Sequence, residues 1–364
     1  MARGALFSHP ELLLAKKNAV GLDIGSSSIK VVALKDTGRG HELVSFDVAL
    51  LPPDAVQDGA IMNYSGVVEK IKELWKVNKI KQKDVALSVA GNSVIIKKIS
   101  LPEMTAQELE NSIQWEAEQY IPFDINDVNV DVEILNPKAG QGQMDVLLVA
   151  AKKEVINDYV SVAQEAGLRP VVVDVDSFCI QNMFEMNYGF PPGETIALID
   201  VGAAVININV IYDGMTSFTR DISMGGQLLT IEIQKQFNVS FEEAEHYKTG
   251  GDGNFSNSSI AREVAKLAER VSETLVTEVQ RSLDFFAATT INADITRIYL
   301  SGGASQLPHL VRSLERRLEV PVEYLNPFKN IVVDPKRFDS DLVTRTAPMA
   351  AVAVGLALRR FRDK

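Results

Sequence analysis

The chain has 364 residues, with 37 Lys and Arg against 48 Asp and Glu, which gives a formal net charge of −11. Its 46% hydrophobic and 23% charged residues are typical of a globular protein, which excludes disordered and collagen-like chains. Because a chain this acidic repels a phosphate backbone, nucleic acid is not an expected partner.

Domain count and compartment follow from the same numbers. The length exceeds one ordinary domain of roughly 100–200 residues, so we expect two lobes. The single cysteine, Cys179, cannot form an internal disulfide, and the four histidines lack zinc-site spacing. No signal-peptide pattern opens the chain, and the longest apolar stretch, 347–358, is shorter than the ~20 residues that span a bilayer. We therefore expect a cytoplasmic protein that reaches a membrane only through partners.

The first predicted unit is a β-hairpin followed by a helix and a strand. Residues 18–34 hold two short β-branched runs around a Gly-Ser turn, which is a hairpin pattern. Residues 65–78 have apolar side chains on one side of a helix, and 85–90 form a short buried strand. The opening residues 1–17 are left open, because Phe7 and the leucines at 12–14 suit either packing on the body or a partner-binding arm.

An inserted unit is predicted next. Its elements are a strand at 94–101, a helix whose first turn is a capping box of Thr105 and Glu108, strands at 128–135 and 145–151, and a helix at 153–167. It separates the strand at 85–90 from a strand at 169–173. After that strand, Asp176 is the expected N-cap of the following helix.

The hairpin pattern recurs later in the chain. Asp200 and Gly202 follow an apolar run with the same spacing as Asp23 and Gly25, 177 positions earlier, which indicates an internal repeat. A third glycine-rich turn at 301–304 leaves a strand and enters a helix at 307–318. The stretches at 260–290 and 347–358 predict a long amphipathic helix and a close-packed terminal helix.

These turns have the chemistry of a phosphate site. Tight glycine-rich turns present successive backbone N–H groups to an anion. Asp23 and Asp200, at the ends of equivalent strands, are expected to face each other across a cleft and to act on phosphates through a hydrated Mg²⁺. The first turn adds hydroxyl donors and a cation, which are Ser26, Ser27, Ser28 and Lys30.

The ordered turns resemble the phosphate and adenosine motifs of the actin-like ATPase superfamily. Residues 114–123 (QWEAEQYIPF), 174–178 (DVDSF) and 326–328 (NPF) resemble the PilM family of type IV pilus assembly, on the FtsA-like branch. The resemblance covers nearly the whole chain. It implies an α/β actin-like ATPase fold of two related lobes, with a nucleotide cleft and an FtsA-type inserted subdomain.

The resemblance also implies a domain organisation and a set of site residues. The implied segments are an N-terminal extension (1–17), a first lobe (18–92 and 169–195), the inserted subdomain (93–168), a second lobe (196–336, helical at about 228–295) and a C-terminal helix (337–364) that returns to the first lobe. The implied ATP-binding positions, beyond those of the first turn, are Asp200, Gly202, Ala203, Gly225, Gly226, Glu242, Glu245, Lys248, Gly302, Gly303 and Ala304.

Several of these roles have alternatives. Glu242, Glu245 and Lys248 suit either a ribose contact or a solvated helical face with i,i+3 pairing. Asp174 stands where relatives orient the attacking water, and a helix cap is its other reading. At the second phosphate turn, Ala203 and the alanine after it offer no polar side chain to a terminal phosphate, so at most slow ATP hydrolysis is expected.

The implied function is an ATP-loaded cytoplasmic scaffold at the inner membrane. It would bind the cytoplasmic N-terminal peptide of PilN near residues 106–120, and through PilN connect to PilO, PilP and the pilus motor ATPases. The alternative is an FtsA-like, self-associating filament former at the membrane. The basic end of the chain, at 359–362, is shorter than a separate amphipathic anchor and is expected to complete the last helix, which favours the scaffold. A small-molecule kinase is less favoured because no base cluster is evident.

Overall fold

The computed structural model describes residues 7–8, 18–38, 40–251, 259–290 and 294–360. Its strands are β1 (Phe7–Ser8), β2 (Val20–Ile24), β3 (Ser28–Asp36), β4 (His41–Leu50), β5 (Val56–Gln57), β6 (Ala60–Ile61), β7 (Asp84–Val89), β8 (Val94–Pro102), β9 (Val128–Gly140), β10 (Gln143–Lys152), β11 (Arg169–Val175), β12 (Thr195–Val201), β13 (Ile206–Tyr212), β14 (Met215–Ile222), β15 (Ile295–Ser301), β16 (Val322–Tyr324) and β17 (Ile331–Val332).

Ten α-helices complete the described part of the chain. They are α1 (Tyr64–Val77), α2 (Ala106–Glu118), α3 (Lys153–Glu165), α4 (Asp176–Tyr188), α5 (Gln227–Phe237), α6 (Phe241–Lys248), α7 (Ser259–Thr289), α8 (Leu310–Leu318), α9 (Ser340–Thr346) and α10 (Ala351–Ala357).

Two large sheets share one topology. The first has the strand order β1-β11-β7-β2-β3-β4-β17, and the second has the order β14-β13-β12-β15-β16. In both sheets, the central hairpin is antiparallel (β2–β3 and β12–β13). The first strand of each hairpin also pairs with a parallel strand, which is β7 in the first sheet and β15 in the second. The repeat predicted from Asp23 and Asp200 is therefore present as two sheets of equivalent strand order, one in each lobe.

The inserted segment forms a sheet of its own, in the order β8-β10-β9. Helix α2 covers one face and begins with the predicted capping box, in which the Thr105 side chain accepts from Glu108 N and the Glu108 side chain accepts from Thr105 N. The other face, including Leu147 and Val149, joins the core that α3 shares with α1, β2 and β7. Helix α3 therefore lies between the inserted sheet and the first lobe.

The second lobe is covered by the predicted long helix, which runs as α7 from Ser259 to Thr289. Its buried side chains step by three and four residues and pack against the inner face of the second sheet, together with α5 and α8. They include Val264, Leu267, Val271, Leu275, Val279 and Leu283. Helix α8 begins at Leu310, three residues later than predicted, because His309 is in the left-handed conformation.

The C-terminal segment returns to the first lobe. It is a 3₁₀ turn at Ala347–Ala350 followed by α10, and every residue of α10 is buried. Helix α10 packs in one core with α4 and with residues of β2, β3 and β7, and this core also includes Ile196 and Leu198 of β12. The terminal helix thus lies at the base of both sheets.

Only part of each chain end is described by the structure. Strand β1 pairs with β11 at the edge of the first sheet, so Phe7 and Ser8 contact the body through their backbone. The leucines at 12–14 and Arg362 lie outside the described residues. No helix within the described ranges is long and apolar enough to cross a membrane.

Candidate functional site

The two predicted phosphate turns have matching geometry. In the first, Gly25 N donates to the backbone oxygen of Ser28 at 3.1 Å, and in the second, Gly202 N donates to the backbone oxygen of Val205 at 2.9 Å. Asp23 lies opposite Lys30 across β2–β3, and Asp200 lies opposite the equivalent position of β13. The two turns of the sequence repeat therefore share the same backbone hydrogen bond and the same position of the aspartate.

Both turns line one cavity. The predicted residues that line it are Asp23, Gly25, Ser26, Ser27, Lys30, Asp200, Gly202 and Ala203. The same cavity is lined by Ser88, Tyr159, Asp176, Ala204 and Asn207, which come from β7, α3, α4, the second turn and β13. Ser28 is different, because it is fully buried in β3 and its backbone oxygen closes the first turn.

Negative charge dominates this cavity. Its acidic lining residues are Asp23, Asp176 and Asp200, and its one basic lining residue is Lys30. Lys30 Nζ lies 3.2 Å from Asp23 Oδ2, and Ser301 Oγ donates to Asp200 Oδ1 at 2.7 Å. Burial is the main cause that raises the pKa of Asp200 to about 6; Ser301 and Lys30 oppose the shift, and Asp23 adds to it.

Asp174, the residue predicted to position the attacking water, does not line this cavity. Asp174 lies inside β11, is completely buried, and pairs with Arg359, whose Nε and Nη2 are each 2.5 Å from Asp174 Oδ2. Asp176 was the expected N-cap, but the N-cap is Val175 and Asp176 is the first helical residue. The carboxylate of Asp176, and not that of Asp174, therefore faces the cavity.

The environment of Asp176 favours its neutral form. Burial is the main cause that raises the pKa of Asp176 to about 8; repulsion from Asp23 contributes to this value, and a hydrogen bond with Ser88 opposes it. An unfolded aspartate ionises near pH 4. The folded protein thus holds a proton that the unfolded chain releases, so this group lowers stability progressively as the pH rises from about 4 to about 8.

Asp176→Asn is expected to stabilise the nucleotide-free protein in a pH-dependent way. The variant resembles the protonated aspartate, so its melting temperature should match the wild type near pH 4.5 and exceed it by several degrees at pH 8. Thermal unfolding across this range measures the difference. Glu165→Gln, which neutralises an exposed carboxylate on α3, should show no such trend. A constant difference between Asp176→Asn and wild type at all pH values would contradict the assignment.

The glycine pair packs directly on the second phosphate turn. Gly226 N donates to Gly202 O at 2.9 Å, and Gln227 N donates to Ala203 O at 2.8 Å. A side chain at Gly225 would overlap the carbonyl oxygens of Gly202 and Ala203, so only glycine permits this approach.

The third glycine turn packs against the residue before the second turn and against the glycine pair. Gly302 has φ +89°, and a side chain there would overlap the backbone of Val201. Ala304 is buried against Gly226, whereas Gly303 is exposed. The second turn, the glycine pair and the third turn therefore form one backbone-to-backbone cluster behind the cavity.

The predicted ribose residues belong to a separate cluster on α6. Lys248 Nζ donates to Glu245 Oε1 at 2.9 Å and to Thr230 Oγ1 of α5 at 3.0 Å, and Thr230 also donates to Glu245. Glu242 is exposed. The i,i+3 pairing weighed as the alternative is present, and the cluster also fixes α6 to α5. It does not line the cavity between the turns.

Sequence reasoning missed the link between the cavity and the inserted subdomain. Asn207 occupies the repeat position of Lys30 and donates through Nδ2 to Asp221 Oδ1 at 2.8 Å. Asp221 Oδ2 accepts from Gly91 N at 2.6 Å, immediately before β8, and Asn92 Nδ2 donates to Ser223 Oγ at 3.1 Å. The repeat offset of 177 would have found Asn207, but no local pattern indicates the pairing of Asp221 with Gly91.

The cavity suits a divalent cation held through water. Direct binding of a phosphate chain is opposed by the carboxylates of Asp23 and Asp200, which outnumber the ammonium of Lys30, and a cation removes this repulsion. Across the described ranges, no three carboxylate, imidazole or thiol groups lie close enough together to hold a metal ion directly. Magnesium keeps several of its waters and needs few protein ligands, so Asp23 and Asp200 fit it as partners of bound water.

Comparisons with known proteins agree on one family. A family model described as type IV pilus assembly protein PilM matches residues 21–361. A solved structure of a PilM–PilN type IV pilus biogenesis complex contains a chain that is 30% identical, with a TM-score of 0.85, covering 95% of this chain and 99% of that one. The ethanolamine utilization protein EutJ from Carboxydothermus hydrogenoformans shares the fold, at 18% identity and a TM-score of 0.56.

Cell division protein FtsA is a more distant relative. FtsA of Bacillus subtilis (strain 168) is 23% identical over 256 residues, and the match spans 63% of this chain but only 57% of that FtsA. FtsA of Neisseria meningitidis is 22% identical over 352 residues, 83% of this chain and 82% of the relative. The predicted actin-like fold is thus confirmed, and with the family model matched over almost its whole length, the chain belongs to the PilM family of type IV pilus assembly proteins.

Proposed function

We propose that the chain is an ATP-binding scaffold of the type IV pilus inner-membrane complex. The observation that supports this most is the cavity lined by two equivalent turns, each with a carboxylate at the end of its first strand. Backbone N–H groups of both turns and the hydroxyls of Ser26 and Ser27 would hold the phosphates, with Lys30 as the cation. Asp23 and Asp200 would hold Mg²⁺ through water, and the ion would neutralise phosphate charge.

The adenosine would lie on the second lobe, beyond the phosphate cavity. Gly302, Gly303 and Ala304 lead away from the turn at Gly202, and the glycine pair at the start of α5 packs on the same turn. The Glu245–Lys248–Thr230 cluster between α5 and α6 supplies carboxylate, ammonium and hydroxyl groups suited to ribose hydroxyls. Glu242 is exposed at the start of α6 and extends that polar surface.

Turnover of ATP in this cavity is expected to be slow. Ala203 and Ala204 offer only backbone groups beside the second turn, and Asp176, the carboxylate that we propose for positioning water, has a pKa raised to about 8. A carboxyl that is largely protonated near neutral pH orients an attacking water poorly. Nucleotide content and turnover of the purified protein test this. We expect retained ATP and little hydrolysis, whereas rapid turnover would mean that the protein transduces energy.

The proposed partner is the cytoplasmic N-terminal peptide of PilN. The related structure contains PilM together with PilN, which is the basis for this assignment. In this chain β9 is an outer strand of the inserted sheet, and α2 lies across its face, so an extended peptide can add to the strand edge beside the helix. PilN would connect the scaffold to PilO, PilP and the motor ATPases, and would hold it at the cytoplasmic face of the inner membrane.

The Asp221 link gives the cavity a physical connection to that peptide site. Asn207 lines the cavity and holds Asp221, which in turn holds Gly91 at the base of the inserted subdomain. A nucleotide that moves the second turn would shift Asn207, and the shift would reach β8 through hydrogen bonds. Reciprocal coupling of ATP and peptide binding follows, by a factor of roughly 5–150 if it is of ordinary size.

Asp221→Asn is expected to reduce this coupling to less than about threefold, because the amide replaces one of the two accepting oxygens, which bind Gly91 and Asn207 separately, with an NH₂ donor. Peptide affinity is measured with and without ATP in wild type and variant. Asp213→Asn is the matched control, since Asp213 Oδ1 also accepts a backbone N–H, from Gly193 at 3.2 Å, at the far end of the same sheet. Unchanged coupling in Asp221→Asn would exclude the link, and absent coupling in wild type would exclude nucleotide control altogether.

An FtsA-like filament former at the membrane is the second candidate, supported by the similarity to FtsA over 352 residues. It predicts that the protein with ATP sediments as polymers, in a concentration-dependent manner and without PilN. The scaffold predicts discrete particles whose size changes only when the PilN peptide is added. Analytical sedimentation with ATP therefore separates the two candidates.

A further inference from the structure

Helix α2 carries a large aromatic side chain that the fold leaves in solvent. Its inner face buries Leu109, Ile113 and Ala117 against the inserted sheet. Trp115, on the opposite face, is 77% exposed. The other tryptophan, Trp75, is only partly accessible and its indole N–H donates to the backbone oxygen of Gln82 at 2.9 Å. Because most of the Trp115 side chain is exposed, packing within the fold does not account for a tryptophan at this position.

The charged side chains of α2 all have one sign. The four charged residues of α2 are Glu108, Glu110, Glu116 and Glu118, and no Lys, Arg or His occurs anywhere from residue 99 to residue 137. Across the part of the chain that the structure describes, no ion pair joins a Lys or Arg to any of these four glutamates. Hydrogen bonds from the Thr105 backbone and side chain lower the pKa of Glu108, which keeps it ionised.

Two of these glutamates oppose the helix dipole. Glu116 and Glu118 lie in the last turn of α2, which has no basic residue. Negative charge at a helix C-terminus is unfavourable, whereas a cation there is stabilised. One cation reaches this end from within the fold, since Lys97 Nζ donates to Tyr120 O at 2.9 Å. It contacts the backbone oxygen of Tyr120, whereas Glu118 is exposed and Glu116 is partly exposed.

We propose that the outer face of α2, formed by Asn111, Trp115, Glu118 and Gln119, binds an arginine- or lysine-rich segment of a partner protein. A guanidinium or ammonium stacked on the indole gains a cation–π interaction. The same cation neutralises the carboxylates of the last turn and complements the helix dipole. This surface lies on the side of α2 away from the inserted sheet and outside the ATP cavity, whereas the edge proposed for the PilN peptide belongs to β9, beside the same helix.

A peptide of eight arginines is a suitable probe. In the variant Trp75→Phe, Trp115 is the sole tryptophan. We expect the fluorescence of Trp115 to change saturably as the peptide is added, and added salt to weaken the binding. Measured by the anisotropy of labelled peptide, Trp115→Ala should bind about tenfold more weakly. The affinity of Glu116→Gln/Glu118→Gln for the peptide should fall by at least about the same factor. These positions are exposed or partly exposed, so the variants are expected to fold, and thermal unfolding verifies this.

Matched controls separate this surface from the general acidity of the chain. Glu263→Gln/Glu269→Gln removes two charges from α7, and Phe285→Ala removes another exposed aromatic, 55% accessible, from the same helix. Both should bind the peptide as wild type does. Equal losses in the α7 and α2 variants, or full affinity in Trp115→Ala, would overturn the proposal. A fluorescence change of Trp115 on concentrating the protein alone would instead assign the face to a second copy of the chain.

Discussion

Asp200→Asn is expected to lower the affinity for ATP in the presence of Mg²⁺ by about 10- to 100-fold. The carboxylate would hold the ion through water, and the amide cannot replace its charge. Without Mg²⁺ the effect should reverse in sign, because the variant removes one of the two carboxylate charges, on Asp23 and Asp200, that repel phosphate in the cavity. Titration of ATP with Mg²⁺ and with excess EDTA measures both affinities.

Asp23→Asn should behave in the same way, since Asp23 is the repeat equivalent of Asp200. Asp213→Asn on the same sheet as Asp200 is the control and should keep the wild-type dependence on Mg²⁺. The informative quantity is the ratio of ATP affinities with and without Mg²⁺. A ratio that stays at the wild-type value in both cavity variants would show that these carboxylates do not act through a cation.

Arg359→Met is expected to lower the free energy of unfolding by about 3–5 kcal/mol. Arg359 and Asp174 are both buried, and the guanidinium contacts one carboxylate oxygen with two nitrogens. Removing the cation leaves an uncompensated charge in the core, between β11 and the end of α10. Urea unfolding followed by circular dichroism measures the loss, which is large relative to the usual stability of a domain.

The double variant Asp174→Leu/Arg359→Met is the decisive companion experiment. Replacement of a buried ion pair by apolar residues is often neutral or stabilising, so we expect it to recover most of the stability lost in Arg359→Met. Its ATP affinity should stay close to that of the wild type, because Asp174 does not line the cavity. Loss of ATP binding in a stably folded double variant would show that the buried pair contributes to the nucleotide site.

The sequence predicted those parts of the fold whose signals are local. The hairpins around Asp23 and Asp200 combine β-branched runs with glycine turns, and both formed with the expected spacing. The capping box at Thr105 and the apolar stripe of α7 are also short-range patterns, and both are present. The constant offset between the two hairpins also predicted that the two sheets are equivalent, and their strand orders agree.

Features that depend on which side of a buried strand a residue faces were not predictable. Strand β11 is buried on both faces from Pro170 onward, so hydrophobic alternation does not show where Asp174 points. The strand also continues to Val175, which makes Asp176 a helical residue and not the cap. The strand ends two residues later than predicted and the helix begins at Asp176, so Asp176 lines the cavity and Asp174 does not.

Long-range polar pairs also escaped prediction. Arg359 was expected to complement the dipole of the last helix, but it is buried against Asp174, 185 positions earlier. Asp221 holds Gly91 across 130 positions and two lobes. Single carboxylates and arginines carry no pattern that identifies a distant partner, because such pairs are set by the tertiary arrangement of the sheets.

The most direct test of the account is the affinity of this protein for the N-terminal cytoplasmic peptide of the PilN encoded in the same genome, measured by calorimetry with ATP, with ADP and without nucleotide. Both nucleotides are supplied with Mg²⁺. We expect the peptide to bind, with an affinity that differs at least about fivefold between the ATP and ADP forms. Equal affinities in all three conditions would contradict the claim that the cavity controls partner binding.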